Sequence, residues 1–417
     1  MAREAEVAIV KVDEYGRLDE AVAAALDLIG ARELIGAEDN VLFKPNLLLK
    51  LRNACTEGDF IRAVARYVKQ SNPDIRLGDS PAQFRSRARN IIKSLGIEIV
   101  LEEEGITYTE FESGGVLVDN PDGKQMRRFH LARPVMDADL VINLPRPKSH
   151  VEAVYTGAVK NFWGIIPGGE KAQCHLYGKN LEQFGETLVD NYQTLLNLGK
   201  KQLTVMDART FMEGLGGPAS GPLRRVGVII AGRDAVAVDV VALAIGRADA
   251  LKAVPHLRGC ENRGLGTTRL EAMRILGKQI EEVRLKRRIG ITASVMADFI
   301  GFFSRRFAHQ IMRRLPSLNK SACTQCGDCY HICPNQAVSW QKKQYPVFDR
   351  EKCISCLCCL ECCLQRALQA KGAGLSGLFL EYPEVNPPRH LQPGSSGVER
   401  AGGKGEKTAR EPGSDDE

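Results

Sequence analysis

Short apolar runs alternate with amphipathic stretches along most of this chain. Residues 7–11, 41–43, 75–77, 139–144, 203–206 and 226–231 are apolar runs of strand length. Between them, residues 18–34, 59–69, 89–95, 181–198 and 235–245 carry apolar positions at helical spacing. Val141-Ile142 and Val228-Ile229-Ile230 lack polar alternation, so they read as buried on both faces. Strands alternating with helices predict an α/β domain with a mostly parallel sheet over residues 1–287.

The pattern changes near Ile289. Met296, Phe299, Ile300, Phe303, Phe307 and Ile311 share one helical face, and Arg305, Arg306, Arg313 and Arg314 add positive charge. This predicts an amphipathic linker helix over residues 288–318 that docks the following unit on the main domain. The same face would also suit an anionic membrane surface. Residues 319–372 form a small α+β unit, with strands over 337–340 and 345–348 around a polar turn. Residues 384–417 are rich in Gly, Pro, Ser and charge, and are expected to be a disordered tail.

The small unit holds one cysteine spacing used twice. Cys323, Cys326, Cys329 and Cys333 form C-x2-C-x2-C-x3-C, closed by Pro334. Cys353, Cys356, Cys359 and Cys363 repeat it thirty residues later. A four-iron cube needs one soft thiolate at each corner. Three cysteines on one tight loop serve three corners, and the twin run supplies the fourth. The spacing therefore assigns Cys323, Cys326, Cys329 and Cys363 to one [4Fe-4S] cluster, and Cys333, Cys353, Cys356 and Cys359 to a second. The unit resembles the bacterial two-cluster ferredoxin domain. It departs at Leu364, where that domain usually has proline, and at the extra thiols Cys358 and Cys362. These thiols read either as buried non-ligands or as a ligand swap or reactive thiol beside the second cluster. Paired CxxC motifs also serve structural zinc, but two matched runs of four argue against it.

Composition narrows the setting. The 417 residues, 44% of them hydrophobic, suffice for two or three domains with a sizeable core. The net charge of +6 is spread among many acids and gives no argument for nucleic acid. No apolar h-region follows Met1, no run is long enough to span a bilayer, and thirteen cysteines point to a reducing compartment. A cytoplasmic location is expected.

Polar residues of the large domain gather where strands end, which is where open α/β sheets bind ligands. They lie at three strand ends: in Lys44-Pro45-Asn46, in Gly78-Asp79-Ser80-Pro81, and in the segment from Asn143 to His150 followed by that from Thr156 to Gly164. A fourth strand end carries Asp207 and then Gly214, Gly216 and Gly217. These segments resemble the family called domain of unknown function 362, with its KPN, GDSP-like, LPKxKTH-like and TGxxKNxxG elements and a frequent C-terminal ferredoxin module. The resemblance covers nearly the whole chain except the tail. Arg146 and Ser149 stand where that family usually has lysine and threonine. The resemblance implies the fold and a site and brings no established reaction.

Lys148, His150, Lys160 and Asn161 are the candidate catalytic group, with His150 as proton donor and Lys148 as substrate clamp. Lys44, Asn46, Asp79, Ser80, Lys171, His175 and Asp207 are the candidate substrate-binding residues. Several lysines around one cleft suit a carboxylate or a phosphate. Asp239 belongs either to the site or to a core network. No G-x-x-x-x-G-K-[ST] loop exists, and Gly214 to Gly217 does not follow G-x-G-x-x-G, so no nucleotide site is assigned. The sequence thus reads as an iron–sulfur electron-transfer protein with two [4Fe-4S] clusters, served by a redox partner protein. Its redox reaction would act on an anionic small molecule in the α/β domain. Whether the chain is itself an oxidoreductase is open. The alternative is a redox-responsive binding or maturation factor that delivers electrons to a partner protein, and a membrane-peripheral carrier is a third, less favoured reading. The sequence names no further cofactor.

Overall fold

The computed structural model describes residues 4–81, 88–150, 152–178, 180–214, 221–291, 314–363 and 365–372. Its large-domain strands are β1 (Ala5–Lys11), β2 (Val41–Pro45), β3 (Ile75–Leu77), β4 (Thr107–Tyr108), β5 (Gly115–Asp119), β6 (Arg128–Ala132), β7 (Leu140–Leu144), β8 (Lys148–His150), β9 (Val154–Thr156), β10 (Lys201–Met212), β11 (Leu223–Gly232) and β12 (Met273–Gly277). One sheet runs β12-β1-β11-β10-β7-β2-β3-β4, with the β8–β9 hairpin attached to β10. Along that path only β11 opposes the other strands. The β5–β6 hairpin stands apart.

Why unbroken apolar runs become the central strands follows from the pleat. Successive side chains of a strand point to opposite faces. Val7, Ile9, Leu42, Val141, Val228 and Ile230 enter the apolar layer shared with helices Leu181–Asn197 and Ala235–Ile245. Their neighbours Ala8, Val10, Val41, Phe43, Ile142, Ile229 and Ala231 enter the opposite layer, shared with helices Leu18–Leu28 and Gly58–Val68. Each run fills both layers, as a sheet covered by helices on two faces demands.

The expected elements differ from the observed ones where polarity and glycine intervene. The helix expected over 18–34 is two helices, Leu18–Leu28 and Ala31–Leu34, because Gly30 takes a left-handed φ of 62°. The strands expected over 203–206 and 226–231 are the inner parts of strands twelve and ten residues long. Their outer, partly polar halves keep pairing beyond the core. No helix among the described residues is long and apolar enough to cross a membrane.

The cysteine module contains β13 (Arg314–Leu318), β14 (Val338–Ser339), β15 (Val347–Phe348) and β16 (Leu368–Gly372), paired antiparallel as β13–β16 and β14–β15. The linker helix expected over 288–318 is therefore not helical at its end. Pro316 forces Leu315 out of the helical region, and the segment pairs as a strand instead. Residues 292–313 and the tail over 384–417 lie outside the described residues. The module's backbone is internally duplicated with a shift of thirty residues. Left-handed φ values recur at Gln325 (58°) and Ser355 (60°), at Gly327 (80°) and Leu357 (56°), and at Gln336 (50°) and Arg366 (49°). The module is docked on the large domain: Ala172, from helix Gly168–Cys174, shares an apolar cluster with Cys329, Ile332, Cys358 and Leu368.

Candidate functional site

Strands β7, β2 and β3 are adjacent and parallel, so the chain leaves all three at one edge of the sheet. There the structure gathers Lys44, Asn46, Asp79, Ser80, Lys148, His150, Lys160, Asn161, Lys171 and His175 around one cavity of about 70 Å³. Thr156, Trp163 and Phe184 also stand in its wall.

A buried polar network fixes the floor. Lys44, fully buried, pairs with Asp79 Oδ1 at 2.7 Å and donates to the Pro45 carbonyl at 2.7 Å. The other oxygen of Asp79 accepts the Leu47 N–H at 2.6 Å. Asn161 donates to Asn143 Oδ1 and accepts from Asn46 Nδ2, each at 2.7 Å. Asn46 Oδ1 then accepts from Lys148 Nζ at 2.5 Å. Lys148 also donates to the Ala54 carbonyl. Close approach explains the two glycines of the segment from Thr156 to Gly164: a Cβ on Gly164 would collide with the Lys44–Asp79 pair, and one on Gly157 with Asp239 and Tyr155.

Four lysines in so small a space hold unequal charge. Burial is the first cause of depression in all three lysines with a shift. It brings Lys148 down to about 7, assisted by the cations of Arg146 and Lys160. Lys171, whose Nζ donates to the Ser80 carbonyl, falls to about 8. Lys44 is lowered by burial against the opposing pull of Asp79. Beside them Glu112 is raised to about 8, first by burial and then by its neighbour Glu110. His150 accepts the Glu152 and Ala153 N–H groups on Nδ1, at 3.1 and 3.0 Å, so its neutral ring carries the proton on Nε2. His175 stacks on Phe184 with centroids 4.7 Å apart and places Nδ1 3.2 Å from Glu152 Oε1.

Two expected residues belong elsewhere. Asp207 does not line the cavity. It binds Arg209 at 2.9 Å and lies 3.9 Å from Arg146, because its strand carries it under the loop that Arg146 pins. Arg146 donates to the Cys55 carbonyl, to Glu57 and to Thr210, so the arginine at this family position is a structural clamp. Asp239 caps the short helix Ala158–Asn161 by accepting the Ala158 and Val159 N–H groups, and burial raises it to about 7. Gly216 and Gly217 lie outside the described residues. Sequence reading missed Phe184, Glu152 and the module residues Ile332 and Cys358. Phe184 looks like any apolar helix position, Glu152 follows His150 in a polar turn, and the two module residues come to the pocket only through tertiary docking.

Among the described residues, no three His, Cys, Asp or Glu side chains converge on a position for one metal ion. The module's cysteines gather in two places. Cys323, Cys326, Cys329 and Cys363 line a cavity of about 100 Å³. Cys359, strongly raised by burial, is crowded by Cys356, Cys362, Cys353 and Cys333. Backbone N–H groups turn toward sulfur: Ala337 to Cys333 at 3.2 Å, Ala367 to Cys363 at 3.3 Å, and Gln325 to Cys323 at 3.4 Å. Soft sulfur donors with N–H groups turned toward three of them are the chemistry that an anionic iron–sulfur cluster would need. Cys362 is buried and donates to the Cys359 carbonyl, while Cys358 reaches the wall of the lysine cavity.

Comparison with known proteins bears on the large domain. The family described as domain of unknown function (DUF362) matches residues 41–244, and no ferredoxin-domain family is matched. A thylakoid-associated protein of Synechocystis sp. is 34% identical over 263 residues, which cover 62% of this chain and 78% of that protein. The lactate racemase apoprotein of Thermoanaerobacterium thermosaccharolyticum aligns with a TM-score of 0.37 and 13% identity, over 63% of this chain and 57% of that one. A protein of Thermotoga maritima aligns with a TM-score of 0.34 and 11% identity, over 55% of this chain and 59% of that one. The chain spans less than two thirds of either solved chain.

Proposed function

The chain belongs to the family described as domain of unknown function (DUF362), and from that premise we propose that it is an iron–sulfur protein coupling electron transfer to a redox reaction on a small anion in the lysine cavity. One observation carries the reading. Ile332 and Cys358 of the cysteine module stand in the wall of the same cavity as Lys148, Lys171 and His175. The group made by Cys333, Cys353, Cys356 and Cys359 therefore adjoins the cavity, and Cys356 feels the charges of His175 and Glu152.

Cys323, Cys326, Cys329 and Cys363 would hold one [4Fe-4S] cluster, and Cys333, Cys353, Cys356 and Cys359 the other. Once bound, such clusters supply one-electron transfer. The first group faces outward, with Cys326 exposed, and suits exchange with an electron-carrier protein. In the cavity, Lys160 and Lys171 draw in the anion, Asn46 and Asn161 fix Lys148, and His150 presents its Nε2 proton to the bound anion. Thirteen free cysteines suit a reducing, cytoplasmic setting.

Anaerobic purification with iron and sulfide analysis, and EPR before and after dithionite, tests the cluster assignment. About eight irons per chain and interacting reduced signals are expected; zinc in their place would overturn it. Inorganic phosphate or acetate should then perturb one of the two EPR signals and spare the other. Equal or absent perturbation would separate the cavity from the clusters. The name of the thylakoid-associated relative favours a second reading, a carrier at a membrane surface held by the phenylalanine-rich stretch that includes Phe299, Phe303 and Phe307. Flotation with anionic liposomes decides it, since a chain that stays at the bottom of the gradient is no membrane binder.

A further inference from the structure

The four cavity lysines differ in what holds them. Lys44 is locked to Asp79. Lys171 feels two carboxylates, Asp79 and Glu112. Lys148 is 1% exposed, and its hydrogen-bond acceptors are two uncharged oxygens, Asn46 Oδ1 and the Ala54 carbonyl. Arg146 and Lys160 oppose its charge, while Cys55 and Asp79 favour it from beyond hydrogen-bond contact. A neutral amine satisfies those two acceptors with its two N–H bonds and keeps its third tetrahedral position, the lone pair, for the cavity that Lys148 lines. His150 lies two residues further along β8, hence on the same strand face, and also lines the cavity.

We propose that Lys148 is a nucleophile that forms a Schiff base with the carbonyl carbon of a small oxo acid, while Lys160 and Lys171 hold the acid's carboxylate. The proposal rests on the reading of this cavity as an anion site and is independent of the clusters. As the Nζ–C bond forms, the carbonyl π pair moves to oxygen, which accepts a hydrogen bond from His150 Nε2–H. The oxygen then takes a proton from the now cationic Nζ, giving a neutral carbinolamine. The C–O bond breaks as the nitrogen lone pair makes C=N, and the oxygen takes the second Nζ proton and leaves as water. Amine plus carbonyl gives imine plus one water, with no change in electron count. Burial, which brings Lys148 down to about 7, keeps much of the amine unprotonated near neutral pH.

The full chain, purified anaerobically, is incubated with glyoxylate and cyanoborohydride, and the reduced adducts are mapped by peptide mass spectrometry. One adduct per chain is expected, on Lys148. Labelling should rise with pH around a midpoint near 7 and be slowed by excess acetate. Lys148→Arg keeps a long N–H donor but no free amine, and should lose the adduct while retaining its iron. An adduct that persists elsewhere in Lys148→Arg at the wild-type rate overturns the proposal. So does the absence of an adduct in a protein that still binds glyoxylate by equilibrium dialysis. A chain that binds neither glyoxylate nor phosphate overturns the anion reading, and this proposal with it.

Discussion

The cysteine module and the lysine cavity share a wall, yet they are built in opposite ways. The module's eight ligand candidates come from two local loops, each wound by left-handed residues at the same three positions of a thirty-residue repeat. The cavity's charges come from segments scattered between Lys44 and His175 and meet only because β7, β2 and β3 are neighbours in the sheet. The module's own apolar cluster is small and is completed by Ala172 of the large domain. The cavity sits above two extensive apolar layers. With clusters bound, the first region would draw its order from them, whereas the other can bear the cost of buried charge because a large core supports it.

The sharpest way to break this contrast is to remove one ligand from each group. Cys326→Ser and Cys359→Ser should each lower the iron content by about half or more and expose the module's amides to hydrogen exchange. The amides of β1, β2, β7 and β10 should stay protected. A variant that kept its module protected without iron would show that the module does not depend on its ligands.

Next in size is the buried pair under the cavity. Asp79→Ala leaves Lys44 without its partner at a fully buried site, and also removes the acceptor of the Leu47 N–H. Breaking such a pair costs about 3–5 kcal/mol, which chemical denaturation of the large domain should report. A loss below about 1 kcal/mol would mean that water reaches Lys44 and that the floor is not sealed.

How much of this was legible in the chain follows from the same contrast. The duplicated cysteine spacing suffices to propose both groups, because cluster ligation would be local in sequence. The apolar runs gave the central strands, and the resemblance carried by Lys44, Asp79, Lys148 and Lys160 pointed to one site. Asp207 misled because it, too, follows a strand, yet β10 carries it to Arg209 and away from the cavity. The docking of Ile332 and Cys358 was invisible, since nothing in the Cys-Tyr-His-Ile-Cys run or its twin says what a module packs against. Strand ends beyond the core, as in β10 and β11, were missed because hydrophobicity marks burial rather than pairing.

A smaller and pH-dependent effect tests the cavity's electrostatics. Lys148 titrates near 7 when folded, below its ordinary 10.5, so the unfolded chain holds the proton more tightly. Its penalty is complete below pH 7 and is relieved as pH rises through that window, by at most about 1.4 kcal/mol per pH unit. Glu112 acts in the other sense. Raised to about 8 from an ordinary 4.5, it costs nothing below 4.5 and increasingly more up to 8. Lys148→Met should therefore flatten the rise in stability above pH 7, and Glu112→Gln the fall below 8. If both variants parallel the parent from pH 5 to 10, the cavity is wet and its groups are ordinary.

The smallest expected effect separates the two neighbouring thiols Cys358 and Cys359. Both are buried, they are adjacent in the chain, and they belong to the same apolar cluster. Only Cys359 occupies the repeat that Cys329 occupies thirty residues earlier, and the helix Cys358–Glu361 turns Cys358 toward the lysine cavity instead. Cys358→Ala should retain the full iron content and cost about 1 kcal/mol, the price of one small buried side chain. Its reach should be confined to the cavity, seen as a change in acetate or phosphate affinity with the EPR signals kept. If Cys358→Ala instead loses iron as Cys359→Ser does, the ligand set has swapped by one residue. The wall between module and cavity would then be a cluster ligand itself, and the two regions would be one site.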